Sequence, residues 1–416
     1  MTERSSPLTG TRILDLTRVL AGPWCTQTLA DLGAEVIKIE RPGAGDDTRG
    51  WGPPYLRDAE GRETSEAAYY LSTNRNKSSV TLDIATPEGA AAVRELVKQC
   101  DVLVENFKVG GLARYGLDYA SVRELNPRLI YCSITGFGQT GPYAKRPGYD
   151  FMIQGMGGLM SITGERDGLP GAGPQKAGVA VTDLFTGMYA TVGILAALQE
   201  RQRSGLGQHI DLALLDTHVA MLANQNLNYM TSGVAPQRAG NAHQNVVPYQ
   251  VFQAADGHLI VAVGNDSQFR AYATAIGRPE LGTDPDYATN RARITNRVAL
   301  IEILTGIMRE GKRDDWLARL ESVGVPCGPI NTLDQVFADP QVKAREIWRT
   351  VPHPTAGTAP TTANPIRFSE TPVQYRKAPP LLGADTQDVL SRVLGWDDAR
   401  IQALMASQQG GTSSDA

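Results

Sequence analysis

The stretch "TRILDLTRVLAGPWCTQTLADLGAEVIKIE", residues 11–40, decides the fold. Arg12–Leu16 reads as a strand. "GPWCTQTLADLGA" follows as a helix, and "AEVIKIE" as a second strand ending at Glu40. This is a strand–helix–strand unit.

The alternation continues outward. "SSVTLDI" reads as a strand, and "TPEGAAAVRELVKQC" as a helix with Thr86 at its N-cap and Pro87 at its first position. "DVLVENF" is a strand, "DYASVRELNP" a helix and "RLIYCSITGFG" a strand. Alternating elements predict a parallel sheet covered by helices on both faces, with ligands beyond the carboxyl ends of the strands. After about Gln199 the pattern changes. "RQRSGLGQHIDLALLD" and a long helical region lead to "VVPYQVFQAADGHLIVAVG", two strands joined by an Asp-Gly turn. Helical segments "SQFRAYATAIG", "NRVALIEILTGIMREG" and "RDDWLARLESVG" complete a smaller α+β unit. The Pro-rich region Pro352–Pro380 reads as extended chain that wraps or links, and "QQGGTSSDA" as a disordered end.

A chain of 416 residues suggests two domains. With 40 basic and 44 acidic residues and a net charge of −4, neither nucleic acid nor an anionic membrane is the expected main partner. "MTERSSPLTG" lacks the apolar core of a signal peptide, and Leu184–Leu198 is too short and too rich in Gly and Thr to span a bilayer. Cys25, Cys100, Cys132 and Cys327 are scattered without metal-ligand spacing, as expected for reduced thiols of a cytoplasmic protein without a metal site. "GFGQTG" (Gly136–Gly141) follows a strand, but Pro142 and Pro147 argue for a loop rather than a dinucleotide-binding helix. No P-loop signature occurs. No His sits beside a nucleophile elbow. His218, on an apolar helical segment, reads as a satisfied structural residue, whereas His243 lies in a ligand-type loop, "GNAHQNVVPYQ".

Nine motifs in order now resemble one family: "DLTRVLAGP", "LGAEVIKIERP", "NRNK", "ENF", "GFGQTGPY", "GQHIDLALLD", "GVPCGPINT", "ADPQVKARE" and "PPLLGADT". Together they look like the family III CoA-transferases, which include formyl-CoA transferase, carnitine CoA-transferase and α-methylacyl-CoA racemase. The resemblance implies an α/β fold with a Rossmann-like large domain (1–200 and 345–416), linkers at 201–225 and 331–344, and a small domain at 226–330. It also implies an interlocked homodimer, coenzyme A thioesters as substrates and no permanently bound cofactor.

Within "GVAVTDLFTGMYATVGILAAL" (Gly178–Leu198) the single charge is Asp183. The local sequence alone makes it an N-cap. The resemblance makes it the nucleophile. Its carboxylate attacks an acyl-CoA thioester to give an acyl–aspartyl anhydride; the released thiolate returns to give an aspartyl–CoA thioester, and the acceptor carboxylate repeats the exchange. The helix start is expected to keep Asp183 ionised while apolar neighbours limit its hydration.

By the same resemblance Arg41, Asn74, Arg75, Lys77, Asn106, Phe107 and Arg114 match positions that hold CoA, while Gly136 and Gly138 line the acyl end. For each basic residue the alternative is a solvated surface charge. The chain departs from the racemase branch where "GYD" puts Tyr149 in place of the branch's His, and a phenol is a poor base at neutral pH. The glycine loop of formyl-CoA transferases is absent, leaving His243, Gln244 and Asn245 as candidates to cover the acyl group. "ERPGAGDDTRGWGPPY" most resembles transferases that use succinyl-CoA and dicarboxylates, of the succinate–hydroxymethylglutarate type. Arg49 is then a candidate cation for the distal carboxylate, or a loop-stabilising residue. A racemase and a non-catalytic CoA-binding protein remain the alternatives.

Overall fold

A computed structural model describes residues 5–409. The strands β1 (Arg12–Asp15) and β2 (Glu35–Glu40) flank the helix Ala21–Asp31, and a hairpin of β3 (Tyr55–Arg57) and β4 (Glu63–Ala67) follows. Then come β5 (Lys77–Thr81), β6 (Val102–Glu105), β7 (Ile130–Thr135) and β8 (His209–Ala213). Six of these strands form one sheet in the order β5-β2-β1-β6-β7-β8, parallel throughout. The chain winds outward from β1 through β2 to β5, then crosses back and winds the other way from β6. That reversal leaves a crevice between the carboxyl ends of β1 and β6.

Both faces of β1 are buried because its side chains alternate between two cores. Ile13 packs with Cys25, Leu29, Val36, Val102 and Ile194. Leu14 packs on the other face with Ile37, Val93, Leu96 and Leu103. Thr86 caps the helix Pro87–Val97 through the Gly89 N–H, as its sequence predicts. On the second face lie Val389, Leu390, Ile401 and Leu404 from the C-terminal helices Thr386–Leu394 and Asp398–Gln409. Gln408 and Gln409 therefore close a helix instead of opening a disordered tail; residues 410–416 lie outside the described residues.

The helix Val181–Ser204 is long and apolar enough to cross a membrane. Its Ala190, Ile194 and Ala197 nevertheless belong to the Ile13 core. Gly187 lets it approach closely, since a Cβ there would sit 2.6 Å from the Ala21 carbonyl oxygen.

The chain divides into two units. One holds the residues up to Gly157, Ala177–Leu227 and the chain from Gln341 on. Residues 201–225, read from sequence as a linker, contribute the sixth sheet strand, because β8 pairs with β7 from Tyr131–His209 to Thr135–Ala213. The other unit is Gly158–Lys176 with Asn228–Pro340. Its sheet is β9 (Tyr249–Gln253), β10 (His258–Ala262) and β11 (Cys327–Pro329), packed on Phe269, Tyr272, Leu300, Leu304, Trp316 and Leu320. Gly158–Lys176 joins this unit through backbone contact, Gly240 N–H donating to the Gly164 carbonyl at 3.2 Å. The Pro-rich region begins inside a hairpin, β12 (Trp348–His353) with β13 (Gly357–Thr362), and only its remainder is extended.

Candidate active site

A cleft of about 360 Å³ opens at the crevice of the first unit. The loop after β1 (Arg18, Val19, Leu20) forms one side, and the loop after β6 (Asn106, Phe107, Lys108) another. Gly136, the segment Lys145–Tyr149, Arg114 and Asp183 complete the wall. Arg18 is paired with Asp47 of the same wall at 2.9 Å, and Lys108, Arg114, Lys145 and Arg146 make the wall cationic, apt for phosphates and carboxylates. Two glycines shape it. A Cβ on Gly136 would sit 2.5 Å from the Gly148 Cα, so only bare backbones can bring these loops together beside Tyr149.

Asp183 stands in the first turn of the helix Val181–Ser204, whose N-cap is Ala180 and carries no side-chain cap. The cap arrives from another helix. Asp150 accepts hydrogen bonds from the Thr182 N–H at 2.8 Å and the Asp183 N–H at 3.3 Å. Gln154 Nε2 donates to the other Asp150 oxygen at 2.6 Å, and Ala177 N–H donates to Gln154 Oε1 at 2.8 Å. Asp183 is thus relieved of capping, and its carboxylate faces the cleft. Burial, with the Asp150 charge added, pushes the Asp183 carboxyl up to about 7. The helix start was expected to keep it ionised. Desolvation outweighs that effect, and the nearest charge has the same sign.

Beside it, Thr182 Oγ1 and His218 Nδ1 lie 2.6 Å apart in a fully buried contact. His218 is only half satisfied: among the described residues its Nε2 has no partner. Cys25 is a packing thiol, pushed up to about 12 by burial.

The structure brings together Asp183, Asn106, Phe107, Arg114, Gly136 and Tyr149 on one cleft. Asn106 ties the two halves of the crevice, accepting from the Arg18 N–H at 3.0 Å and donating to the Arg18 carbonyl at 2.8 Å. Gly138, at φ +84°, turns the following loop from outside the wall. Arg41 is exposed beyond the end of β2, also off the wall.

The "NRNK" residues point inward. Asn74 donates to the Tyr70 carbonyl at 2.9 Å. Arg75 grips Asp31 through two nitrogens at 2.9 and 2.5 Å, and Thr361 through a third at 3.0 Å. Lys77, fully buried, meets Asp15 at 3.1 Å and Asn74 at 2.9 Å. Such internal pairing satisfies the charges of Arg75 and Lys77 within the fold. Arg49 is paired likewise. It donates to both Glu40 oxygens at 2.9 and 2.8 Å and to Tyr70 Oη at 2.6 Å, so the loop-stabilising alternative describes its geometry. His243, Gln244 and Asn245 belong to the second unit, where Arg297 holds the His243 and Gln244 carbonyls at 2.8 and 2.7 Å.

Fold and site define a doubly wound α/β protein that presents a half-buried, weakly acidic carboxyl group in a cationic cleft. By sequence it belongs to CoA-transferase family III, whose sequence model matches residues 8–386. It is 52% identical over 393 residues to the succinate–glutarate CoA-transferase of Agrobacterium fabrum, covering 94% of this chain and 97% of that one. It is 45% identical to the human succinyl-CoA:glutarate CoA-transferase, with 96% and 89% covered. A crystal structure of a CAIB/BAIF family protein from Brucella suis superposes with a TM-score of 0.81 at 51% identity, covering 94% of this chain and all of that one.

Proposed function

We propose that this CoA-transferase moves CoA from succinyl-CoA to a dicarboxylic acid through Asp183. The observation that carries the reading is the state of Asp183: facing a cationic cleft, freed from capping, its carboxyl group lifted to about 7. A carboxylate of that basicity is ionised in useful proportion at neutral pH and is a stronger nucleophile than an ordinary aspartate. It adds to the thioester carbonyl, and the tetrahedral adduct expels CoA thiolate, leaving an acyl–aspartyl anhydride. The thiolate attacks the aspartyl carbonyl, releasing the acyl group as a free carboxylate and forming an aspartyl–CoA thioester. The acceptor carboxylate attacks that thioester, and the returning thiolate completes the new acyl-CoA. Each thioester replaces another, so no nucleotide is consumed.

The nature of the relatives supports succinyl-CoA as donor and glutarate as a first acceptor. With Arg49 engaged by Glu40 and Arg18 by Asp47, the distal carboxylate has Lys108, Lys145 and Arg146 as candidate partners on the cleft wall. Tyr149 lines the same cleft, where the racemase branch carries a His. We further infer a cytoplasmic homodimer without a permanent cofactor. An apolar surface on the nucleophile's helix, with Phe185 45%, Tyr189 47% and Val192 59% exposed, supports burial against a second copy.

Incubation with succinyl-CoA and a pool of mono- and dicarboxylic acids, read by mass spectrometry, tests the reading. A new acyl-CoA that is absent with Asp183→Ala supports it and names the acceptor. No exchange from succinyl-CoA defeats the donor assignment.

A further inference from the structure

We propose that the buried Lys38–Asp46 ion pair is a positioning device for the transferase reaction, holding the strained loop Thr17–Val19 in the shape that receives the CoA thioester. The proposal rests on the functional reading above and adds residues which that reading does not use.

The loop leaves the carboxyl end of β1 and forms one wall of the cleft. At its bend, Val19 has φ +73°. A β-branched residue in the left-handed region is a rare, strained conformation that persists only where surrounding structure imposes it. Here the imposing groups can be named. Thr17 N–H donates to Asp15 Oδ1 at 2.9 Å, and the Thr17 carbonyl accepts from Lys38 Nζ at 2.8 Å. Both backbone groups of Arg18 bond to Asn106. Val19 N–H donates to Asp46 Oδ1 at 3.2 Å. Every peptide group from the Thr17 N–H to the Val19 N–H is held by a side chain.

Lys38 and Asp46 hold the two sides of the bend and each other, Nζ to Oδ2 at 2.9 Å, with both side chains fully buried. Stability alone explains such a pair poorly, because well-packed apolar residues generally serve as well or better. The bend explains it. A carbonyl needs a donor and an N–H two residues later needs an acceptor, so a cation and an anion joined to each other satisfy both. The pair is anchored in turn: Glu40 Oε1 accepts from the Asp46 N–H at 3.0 Å, and Asp46 also accepts from the Thr48 N–H and hydroxyl. Lys38 and Asp46 are positioning residues, and the strained peptide they hold is what meets the substrate.

The test is Asp46→Asn in the full-length protein, with CoA affinity measured by calorimetry and KM and kcat for succinyl-CoA measured beside thermal stability. The Kd for CoA and the KM are expected to rise at least about tenfold, the scale of one lost charge-assisted hydrogen bond, with kcat within about twofold. The same change is then made in a Val19→Gly background. Glycine takes the left-handed bend without strain, so there the rise should shrink to under about threefold. Should Asp46→Asn not fold, Lys38→Met/Asp46→Leu, which leaves no buried charge unpaired, is read in its place. A folded variant that loses thermal stability but keeps wild-type Kd and KM overturns the proposal. Equal rises in the Val19 and Gly backgrounds overturn it too. If the unaltered enzyme neither binds CoA nor exchanges it, the functional reading falls and takes this proposal with it.

Discussion

Asp15 and Asp183 are two carboxylates of one unit, the first fully buried and the second half-buried, and their surroundings treat them in opposite ways. Asp15 is fully buried at the end of β1, where Lys77 lies at 3.1 Å and the Thr17 and Thr26 hydroxyls donate at 2.5 and 2.6 Å. Burial would raise its carboxyl group, yet Lys77, Lys38 and the two hydroxyls outweigh burial and hold it at about 2. Asp183 has an opposite balance. Burial and a like charge act together, its side chain finds no hydrogen-bond donor among the described residues, and the group rises to about 7. A matched buried charge fixes the fold, and a mismatched one is held ready for chemistry.

Asp183→Asn should produce the largest effect. Loss of the nucleophile is expected to lower transfer by at least about a thousandfold, read as acyl-CoA exchange. The same change should stabilise the protein at alkaline pH. The native carboxyl group, raised from 3.8 to about 7, binds a proton in that window which the unfolded chain has released. Native stability from this group is therefore present at acid pH and lost as pH rises towards 7. Asparagine has no such loss, so the gain in Tm over the unaltered enzyme should be larger at pH 8 than at pH 5. An equal gain at both would show that Asp183 is not held uncharged by its surroundings.

Breaking the matched side of the comparison should damage stability and leave chemistry intact. Lys77→Met leaves Asp15 buried without its cation and is expected to cost about 3–5 kcal/mol, measured by denaturant unfolding. Transfer per folded molecule should stay within a few-fold. A large rise in the KM for succinyl-CoA would instead place Lys77 in contact with CoA, as its position in "NRNK" suggests. Arg49→Gln follows at about 3 kcal/mol, because Glu40 loses both nitrogens but keeps Ser79 at 2.6 Å. Its preference for dicarboxylates over monocarboxylates should move by less than about twofold. A collapse of that preference would make Arg49 a substrate residue.

The comparison also marks what a sequence can disclose. The alternation of residues 11–135 contains the sheet because a strand buried on both faces must be apolar at successive positions, as Ile13 and Leu14 are. β8 escaped that reading, since "HIDLA" carries His209 and Asp211 and follows a helix rather than an obvious crossover. Asp183 was legible as the lone charge in an apolar segment. The "NRNK" side chains were not, because a basic residue in a loop looks the same whether it meets a phosphate or an aspartate distant in sequence; Arg75 finds Asp31 44 positions away. Lys38 offered a missed signal, a charge inside the apolar strand "VIKIE". The bend at Val19 offered none, for nothing in "TRVLAG" marks a positive φ.

The smallest effect belongs to Asp150, which connects the two regimes by capping a helix while facing the nucleophile. Asp150→Asn keeps an oxygen to accept from the Thr182 N–H but removes the like charge beside Asp183. Below about pH 7 Asp183 is protonated and cannot attack, so kcat/KM for transfer should fall as pH drops through that value. With the neighbouring charge gone, the acid limb should move down by about one pH unit. At pH 6 the rate relative to its own alkaline plateau then rises about fivefold, while the plateau falls a few-fold as the nucleophile becomes less basic. The cations of the wall, Arg18, Lys108, Arg114, Lys145 and Arg146, act in both proteins and cancel in the comparison. A limb that stays in place with a lowered plateau would mean that Asp150 acts only as a cap, and that burial alone sets the state of Asp183.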